Sequence, residues 1–435
     1  MNKETTAVNS DIIKSYDRFL PYQFIHLLGK KSITDVKLGD QVEKEMTVLF
    51  SDIRNFTALS ENMSPQENFN FINTYLLQME PIIGEHFGII DKYIGDAIMA
   101  LFPTNSNDAL NASICMLNQL ADYNIDRKKN DYSEIKIGIG LNTGYLMLGT
   151  VGSKNRMEGT VIGDVVNLSS RLESLTKVYN TKLLISEHTY HNLQNIKNYF
   201  IRFIDRIRVK GKKQPVSIYE VFDNDEDRLK NKKAENVHIF EEALAHYHYK
   251  HIDQAEKLLR EYLKIVPEDY PAKLYLRRCE NFSKTGNHEG ISELIQKINW
   301  KPQFEIGHRE IDEQHKNLVE TAYKLIDAVN AEAEQSKIID IISFLNAYVL
   351  NHFLTEEKYM EDTKYPFIST QKRQHQKFIQ DFSTLKDGIT NINSKNKLYI
   401  TFRIQILVID WILNHTLKED RHFGRFLQQQ KNENK

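Results

Sequence analysis

Ile89-Ile-Asp-Lys-Tyr-Ile-Gly-Asp96-Ala-Ile-Met-Ala-Leu-Phe102 decides how the first half of this chain folds. Two apolar runs flank Gly95-Asp96, a pattern that predicts a β-hairpin with an acid at its turn. A second acid closes a similar run upstream, Thr47-Val-Leu-Phe-Ser-Asp52, where a strand should give way to a loop. Two such carboxylates can hold two metal ions, and hard oxygen ligands suit Mg²⁺ shared with substrate phosphates. Taken singly, each acid has a structural reading of equal weight, Asp52 as a helix N-cap and Asp96 as a turn residue.

Three separated motifs remove that ambiguity. Phe50-Ser-Asp52-Ile-Arg-Asn-Phe-Thr57, the Lys92 to Asp96 segment and Thr160-Val-Ile-Gly-Asp-Val-Val-Asn167-Leu-Ser-Ser-Arg171 resemble, in that order, the class III nucleotide cyclases. The resemblance covers residues 38–222 and implies a ferredoxin-like α/β catalytic domain. It implies that Asp52 and Asp96 bind two Mg²⁺ or Mn²⁺ ions, which activate the ribose 3′-hydroxyl and neutralise the departing pyrophosphate. Asn167 and Arg171 would position the ribose and stabilise charge on the α-phosphate; one turn apart, both can project from one face of a helix over 164–177. Lys210 matches the position that contacts the terminal phosphates, whereas its neighbours Lys212 and Lys213 read as solvated.

The base is read from hydrogen-bonding pattern. Adenine presents an acceptor at N1 beside an N6 amino donor, and guanine presents the reverse. Lys92 and Thr160 occupy the two positions that read the purine in the family, and a Lys donor with a Thr acceptor fits adenine. ATP is therefore the expected substrate, with guanylate cyclase activity as the alternative. Gly95, Gly149 and Gly163 read as structural.

At 435 residues the chain should form two to four domains of multidomain α+β character. Its 57 Lys and Arg against 59 Asp and Glu create no global field for nucleic acid or anionic lipid. Two cysteines, Cys115 and Cys279, fit packed thiols in a reducing compartment better than a disulfide. No apolar stretch is expected to approach the roughly 20 residues needed to span a bilayer, and no signal peptide is read at Met-Asn-Lys-Glu-Thr-Thr. A cytoplasmic location without a membrane partner follows as the expectation.

Residues 1–37 read as a polar start and a short helical leader, Tyr16 to Leu28, of a kind that can pair across a dimer. The charged run at 223–236 reads as a linker that ends the cyclase domain. Beyond it, Phe240, Ala243, Leu244 and Tyr247, then Ala255, Leu258, Leu259 and Tyr262, then Ala272, Tyr275 and Leu276 follow a helical period. Residues 223–296 thus resemble one tetratricopeptide repeat plus a capping helix, a short helical repeat linker. One repeat is too short for a sizeable groove, which favours a spacer or dimerisation role over partner binding.

In the last third, histidines recur beside carboxylates: Phe304-Glu-Ile-Gly-His-Arg-Glu-Ile-Asp-Glu-Gln-His315, His352-Phe-Leu-Thr-Glu356, His375 and His415-Thr-Leu-Lys-Glu-Asp420. Within residues 297–435 these segments resemble bacterial hemerythrin, an all-α four-helix bundle that holds two irons between imidazoles and bridging carboxylates. His352 and Glu356 share a helical face; His415 and Asp420, five apart, are paired only by the family pattern. The resemblance implies that His315 and His352 bind one iron, His375 and His415 the other, with Glu356 and Asp420 bridging. The family expects a further histidine where this chain has Gln371, which leaves one iron more open and turns the reading from oxygen storage towards sensing. His86, His248 and His422 read as ordinary surface or core residues, and His308 as structural or supporting.

Together the two resemblances imply an adenylate cyclase controlled by a diiron domain that answers O₂, another small diatomic ligand or redox state. Because class III sites form between two catalytic domains and this chain has one, a homodimer is expected. Competing readings are a constitutive cyclase carrying an oxygen or iron store, and an idle scaffold.

Overall fold

The computed structural model describes residues 22–61, 63–153, 155–208, 215–290, 300–331, 333–389 and 397–433. Contacts divide the chain into two compact units, residues 1–203 with 218–231, and residues 204–217 with 232–435.

An eight-stranded sheet, whose residues 204–208 and 215–217 fall in the second unit and the rest in the first, has the order β2-β3-β1-β4-β6-β8-β7 with β5 hairpinned onto β4. Its strands are β1 Gln41–Ile53, β2 Ile89–Ile94, β3 Ala97–Phe102, β4 Ile137–Ser153, β5 Arg156–Ile162, β6 Leu183–Ser186, β7 Ile201–Arg208 and β8 Pro215–Val221. Val48, Leu49, Leu101, Leu141 and Leu148 are fully buried at its centre. Helix α1 is Tyr22–Leu27, and its Phe24, with Leu28 just beyond, joins the cluster formed by Met46, Val48 and Leu146. The described part of the leader packs on its own sheet, and the rest of the expected leader lies outside the described residues.

A short helix α2, Phe56–Ser60, follows the Asp52 motif, and two long helices, α3 Pro65–Glu85 and α4 Ser106–Lys129, pack together. Helix α3 starts at a capping box in which Ser64 and Glu67 satisfy each other's backbone N–H, a feature worth about 1 kcal/mol. Helix α5, Asp164–Tyr179, lies over β4 and β1. It comes so close that a Cβ on Gly140 would sit 2.3 Å from the Glu173 nitrogen, so only glycine fits under the helix that carries Asn167 and Arg171. A short helix α6, Glu187–Asn192, completes this region.

The charged run read as a linker is not extended: Asp227–Glu235 is helix α7. Polar residues with i,i+3 pairs such as Lys230 with Asp227 suffice for a solvated helix. In the second unit, α8 Val237–His248, α9 Ile252–Ile265 and α10 Tyr270–Thr285 follow as three helices. Phe240, Ala243, Leu244, Tyr247, Ala255, Leu259, Tyr262, Ala272 and Tyr275 are wholly buried, which accounts for their spacing. Cys279 is buried in α10, and burial pushes its thiol up to about 12, so it is packing rather than chemistry.

The bundle consists of α11 Arg309–Asn330, α12 Gln335–Asp362, α13 Ile368–Ile389 and a fourth helix in segments. Those segments are α14 Lys397–Ile404, a π-helical stretch Gln405–Asp410, α15 Trp411–His415, a second π-helical stretch Thr416–Asp420, and α16 Arg421–Glu433. Leu318, Leu325, Ile342, Leu345, Phe378, Phe382, Val408 and Trp411 form its core. Where the sequence led us to expect no such stretch, one helix, Ser336–Asp362, is long and apolar enough to cross a membrane by length and composition, an 18-residue window within it having a mean hydropathy of 1.4. It gives Ile338, Ile342, Leu345, Val349 and Phe353 to the bundle core and carries His352 and Glu356 beside them. Arg206 reaches Asp410 at 2.7 Å with both side chains 6% exposed; removing one partner of so buried a pair costs about 3–5 kcal/mol.

Candidate functional site

Strand register brings the two acids of the first unit together. Ser51 of β1 pairs with Ile98 of β3, so Asp52 comes level with Ala97, next to Asp96 in the β2–β3 turn. Gly95 takes φ +66° there, the left-handed conformation that a two-residue hairpin needs. Asp96 Oδ2 accepts a hydrogen bond from Ile53 N at 3.2 Å. Burial, and then Asp52 beside it, push the Asp96 carboxyl up to about 6. Two acids that resist sharing their charge are what a divalent cation relieves, so the donor set fits a metal pair. Lys177 Nζ lies 2.8 Å from Asp52 Oδ2, but its side chain is 47% exposed and the pair adds little to stability.

Lys92 on β2 and Thr160 on β5 also meet, the ammonium donating to Thr160 Oγ1 at 2.9 Å. Asn167 and Arg171 lie on the exposed face of α5, opposite the buried Leu168, Leu172 and Thr176. On the same helix Lys177 reaches Asp52, and at about 100° per residue it stands about 120° round from Arg171. Among the described residues no recorded contact joins Asn167 or Arg171 to Asp52 or Asp96. Lys210, with Lys212 and Lys213, lies outside the described residues.

All six histidines and acids expected in the bundle converge. His315 Nε2 is 3.1 Å from Asp420 Oδ2 and 3.3 Å from Glu356 Oε1; His352 Nε2 and His375 Nε2 each lie 3.5 Å from Glu356 Oε2; His415 Nε2 is 3.1 Å from Asp420 Oδ1. Helical periodicity could not pair His415 with Asp420. The π-helical turn Thr416–Asp420 does so, because i→i+5 spacing stacks residues five apart.

Three supporting residues were not read from the sequence. Gln314 Oε1 lies 2.9 Å from His352 Nδ1, Glu357 Oε1 2.9 Å from His375 Nδ1, and Gln374 Oε1 3.0 Å from His415 Nδ1. Each acceptor holds the Nδ1 proton of its imidazole and leaves Nε2 facing inward as a ligand. Each also adjoins a ligand in sequence while serving a different helix, which is the signal that was available. Gln371, wholly buried, donates from Nε2 to Asp420 Oδ1 at 3.3 Å, and its carbonyl oxygen has no hydrogen bond.

A fit to metal shows in the orphaned atoms. His315 Nε2, both Glu356 oxygens and Asp420 Oδ2 are buried without hydrogen-bond geometry to any neighbour, so they point at a common space. His315, His352 and Glu356, and again Glu356, His375 and His415, bring one ligand atom each within 4.8 Å of the others. Burial would push the His315 imidazole down, yet the Asp420 and Glu356 carboxylates outweigh it and hold it up at about 10. Burial drives His352 down to about 3, leaving it neutral and able to ligate. The cluster thus demands positive charge at its centre.

Residues 39–222 match the family of adenylate and guanylate cyclase catalytic domains, and residues 307–427 match the hemerythrin HHE cation binding domain. The chain carries a class III cyclase domain and a hemerythrin domain. An adenylate cyclase of Anabaena cylindrica is 44% identical over 215 residues, 48% of this chain and 43% of the relative. The terminal-differentiation specific adenylate cyclase of Dictyostelium discoideum is 36% identical over 281 residues, 63% of this chain and 13% of the relative. This chain therefore spans less than half the length of either. The crystal structure of the adenylyl cyclase CyaB from P. aeruginosa is 35% identical, covering 42% of this chain and 96% of that one, with a TM-score of 0.38. The cluster from His315 to Asp420 lies inside the residues matched to the hemerythrin domain, and Asp52, Lys92, Asp96, Thr160, Asn167 and Arg171 all lie inside those matched to the cyclase domain.

Proposed function

We propose that this chain converts ATP to 3′,5′-cyclic AMP and pyrophosphate as a homodimer, under the control of a diiron centre in its hemerythrin domain. The observation that carries the reading is the division of the cyclase residues. Asp52 and Asp96 meet where β1 ends beside the β2–β3 turn, Lys92 meets Thr160 between β2 and β5, and Asn167 and Arg171 stand exposed on α5, with no recorded contact among the described residues that joins them to Asp52 or Asp96. A second copy can complete what one copy leaves apart.

Asp52 and Asp96 would hold two Mg²⁺ or Mn²⁺ ions, which when bound supply Lewis-acid activation of the 3′-hydroxyl and neutralise the leaving pyrophosphate. Lys92 donates to adenine N1 and Thr160 accepts from the N6 amino group. Asn167 orients the ribose and Arg171 offsets charge growing on the α-phosphate. A mismatched base leaves these polar groups unpaired, which can discriminate by about 10⁴. His315, His352, His375, His415, Glu356 and Asp420 would hold two irons, which when bound supply O₂-binding or redox chemistry.

Purified protein with Mg²⁺ or Mn²⁺ should form cyclic AMP from ATP in preference to cyclic GMP from GTP. Lys92→Glu with Thr160→Cys should erode that preference, read as the ratio of kcat/KM for the two nucleotides. A wild-type protein that prefers GTP would overturn the assignment of substrate.

A further inference from the structure

Between the two strands of the catalytic hairpin the register slips. Ile90 pairs with Ala100 and Lys92 with Met99, so Asp91 is an extra residue without a partner across the ladder. In an unbroken strand Asp91 and Lys92 would point to opposite faces. The bulge re-aims one of them, and the Asp91 carboxylate comes to lie beside the ammonium of its own neighbour, Lys92 Nζ to Asp91 Oδ2 being 3.4 Å. Asp91 is also buried, with 1% of its side chain exposed, and neither of its oxygens makes a hydrogen bond. A carboxylate placed there at the cost of desolvation calls for a reason.

Donors and acceptors give one. Lys92 has three N–H donors and no acceptor; the Thr160 hydroxyl has one donor and two acceptor lone pairs. One Lys92 donor goes to Thr160 Oγ1 at 2.9 Å, which uses one lone pair of that hydroxyl. If the Thr160 proton turns to Asp91, Thr160 keeps one lone pair and no donor, and Lys92 keeps a donor. The pair then offers one donor and one acceptor, the complement of adenine N1 and N6. We propose that Asp91 is a positioning residue for base specificity, holding Lys92 in place and taking the Thr160 proton so that the hydroxyl can only accept. Burial raises the Asp91 carboxyl, while Lys92 and then Thr160 counter that rise, in keeping with the same three-residue arrangement. Glu158 also lies 3.4 Å from Lys92 Nζ but is 57% exposed, so its charge is screened and its position is not held.

This inference rests on the reading of Lys92 and Thr160 as the purine contacts. Asp91→Asn keeps the volume but removes the charge and one of the two acceptor oxygens, which weakens the hold on the Thr160 proton and lets it meet guanine O6. It should lower the ATP over GTP ratio of kcat/KM about tenfold or more, mainly through KM for ATP, while Glu158→Gln leaves the ratio unchanged. Asp91→Asn and Thr160→Val should be non-additive in that ratio, because one acts through the other. If Asp91→Asn does not fold, Asp91→Ser removes the charge with less volume and is read in the same way. A ratio unchanged by the folded variant, an equal loss for both nucleotides with KM intact, or strict additivity would overturn the role of Asp91. Preference of the wild type for GTP would instead overturn the substrate assignment beneath it, whatever the variants do.

Discussion

Asp52→Ala and Asn167→Ala are each expected to lose cyclic AMP formation by about 10³ or more, since each removes charge stabilisation from the transition state. Mixed and allowed to exchange subunits, the two inactive proteins should recover about a quarter of wild-type activity, because half the dimers are mixed and each mixed dimer has one intact site. The geometry behind this is that Asn167 and Arg171 are exposed on α5 and, among the described residues, have no recorded contact with Asp52 or Asp96, whereas Lys177 of the same helix reaches Asp52. Neither substitution should damage the fold. Asn167 is exposed, and Asp52 gives up only an ion pair to the half-exposed Lys177. Sedimentation of each variant establishes dimer formation, and a labelled subunit reports exchange. Full exchange without recovery of activity would reject a site shared between subunits.

What could be read from the sequence is what local rules control. The Gly95-Asp96 turn is a two-residue event between apolar runs, and its reading matches β2 and β3 because hairpin chemistry is local. Asp91 escaped notice because strict alternation assigns it to the face opposite Lys92, and only the slip in register brings the two together. His415 and Asp420 were joined by family pattern alone, since nothing in that segment announces a π-helical turn. Gln314, Glu357 and Gln374 act on imidazoles of other helices, contacts that depend on how the bundle packs. The run at 223–236 left its local structure open, since charge density is shared by extended linkers and by solvated helices such as Asp227–Glu235.

Glu356→Ala should remove the iron and, with it, any response of the cyclase to oxygen. Glu356 is fully buried, and its carboxylate lies within 3.5 Å of His315, His352 and His375, three of the cluster's four imidazoles. Wild-type protein from iron-replete cells should carry up to two irons per chain by metal analysis, and Glu356→Ala close to none. Gln314→Leu, which frees the His352 ring without touching a ligand atom, should weaken iron binding by about 10–100-fold. The functional comparison is cyclic AMP turnover in reduced iron-loaded protein, in the same protein after air, and in the iron-free variant. A sensor must bind or react differently in its two states, so at least two of these rates should differ. Within the second unit the fourth helix carries His415 and Asp420 at one π-helical turn and, at the other, Asp410 in its buried pair with Arg206. Three equal rates in protein shown to contain iron would leave the hemerythrin domain a store rather than a sensor, with the cyclase assignment intact.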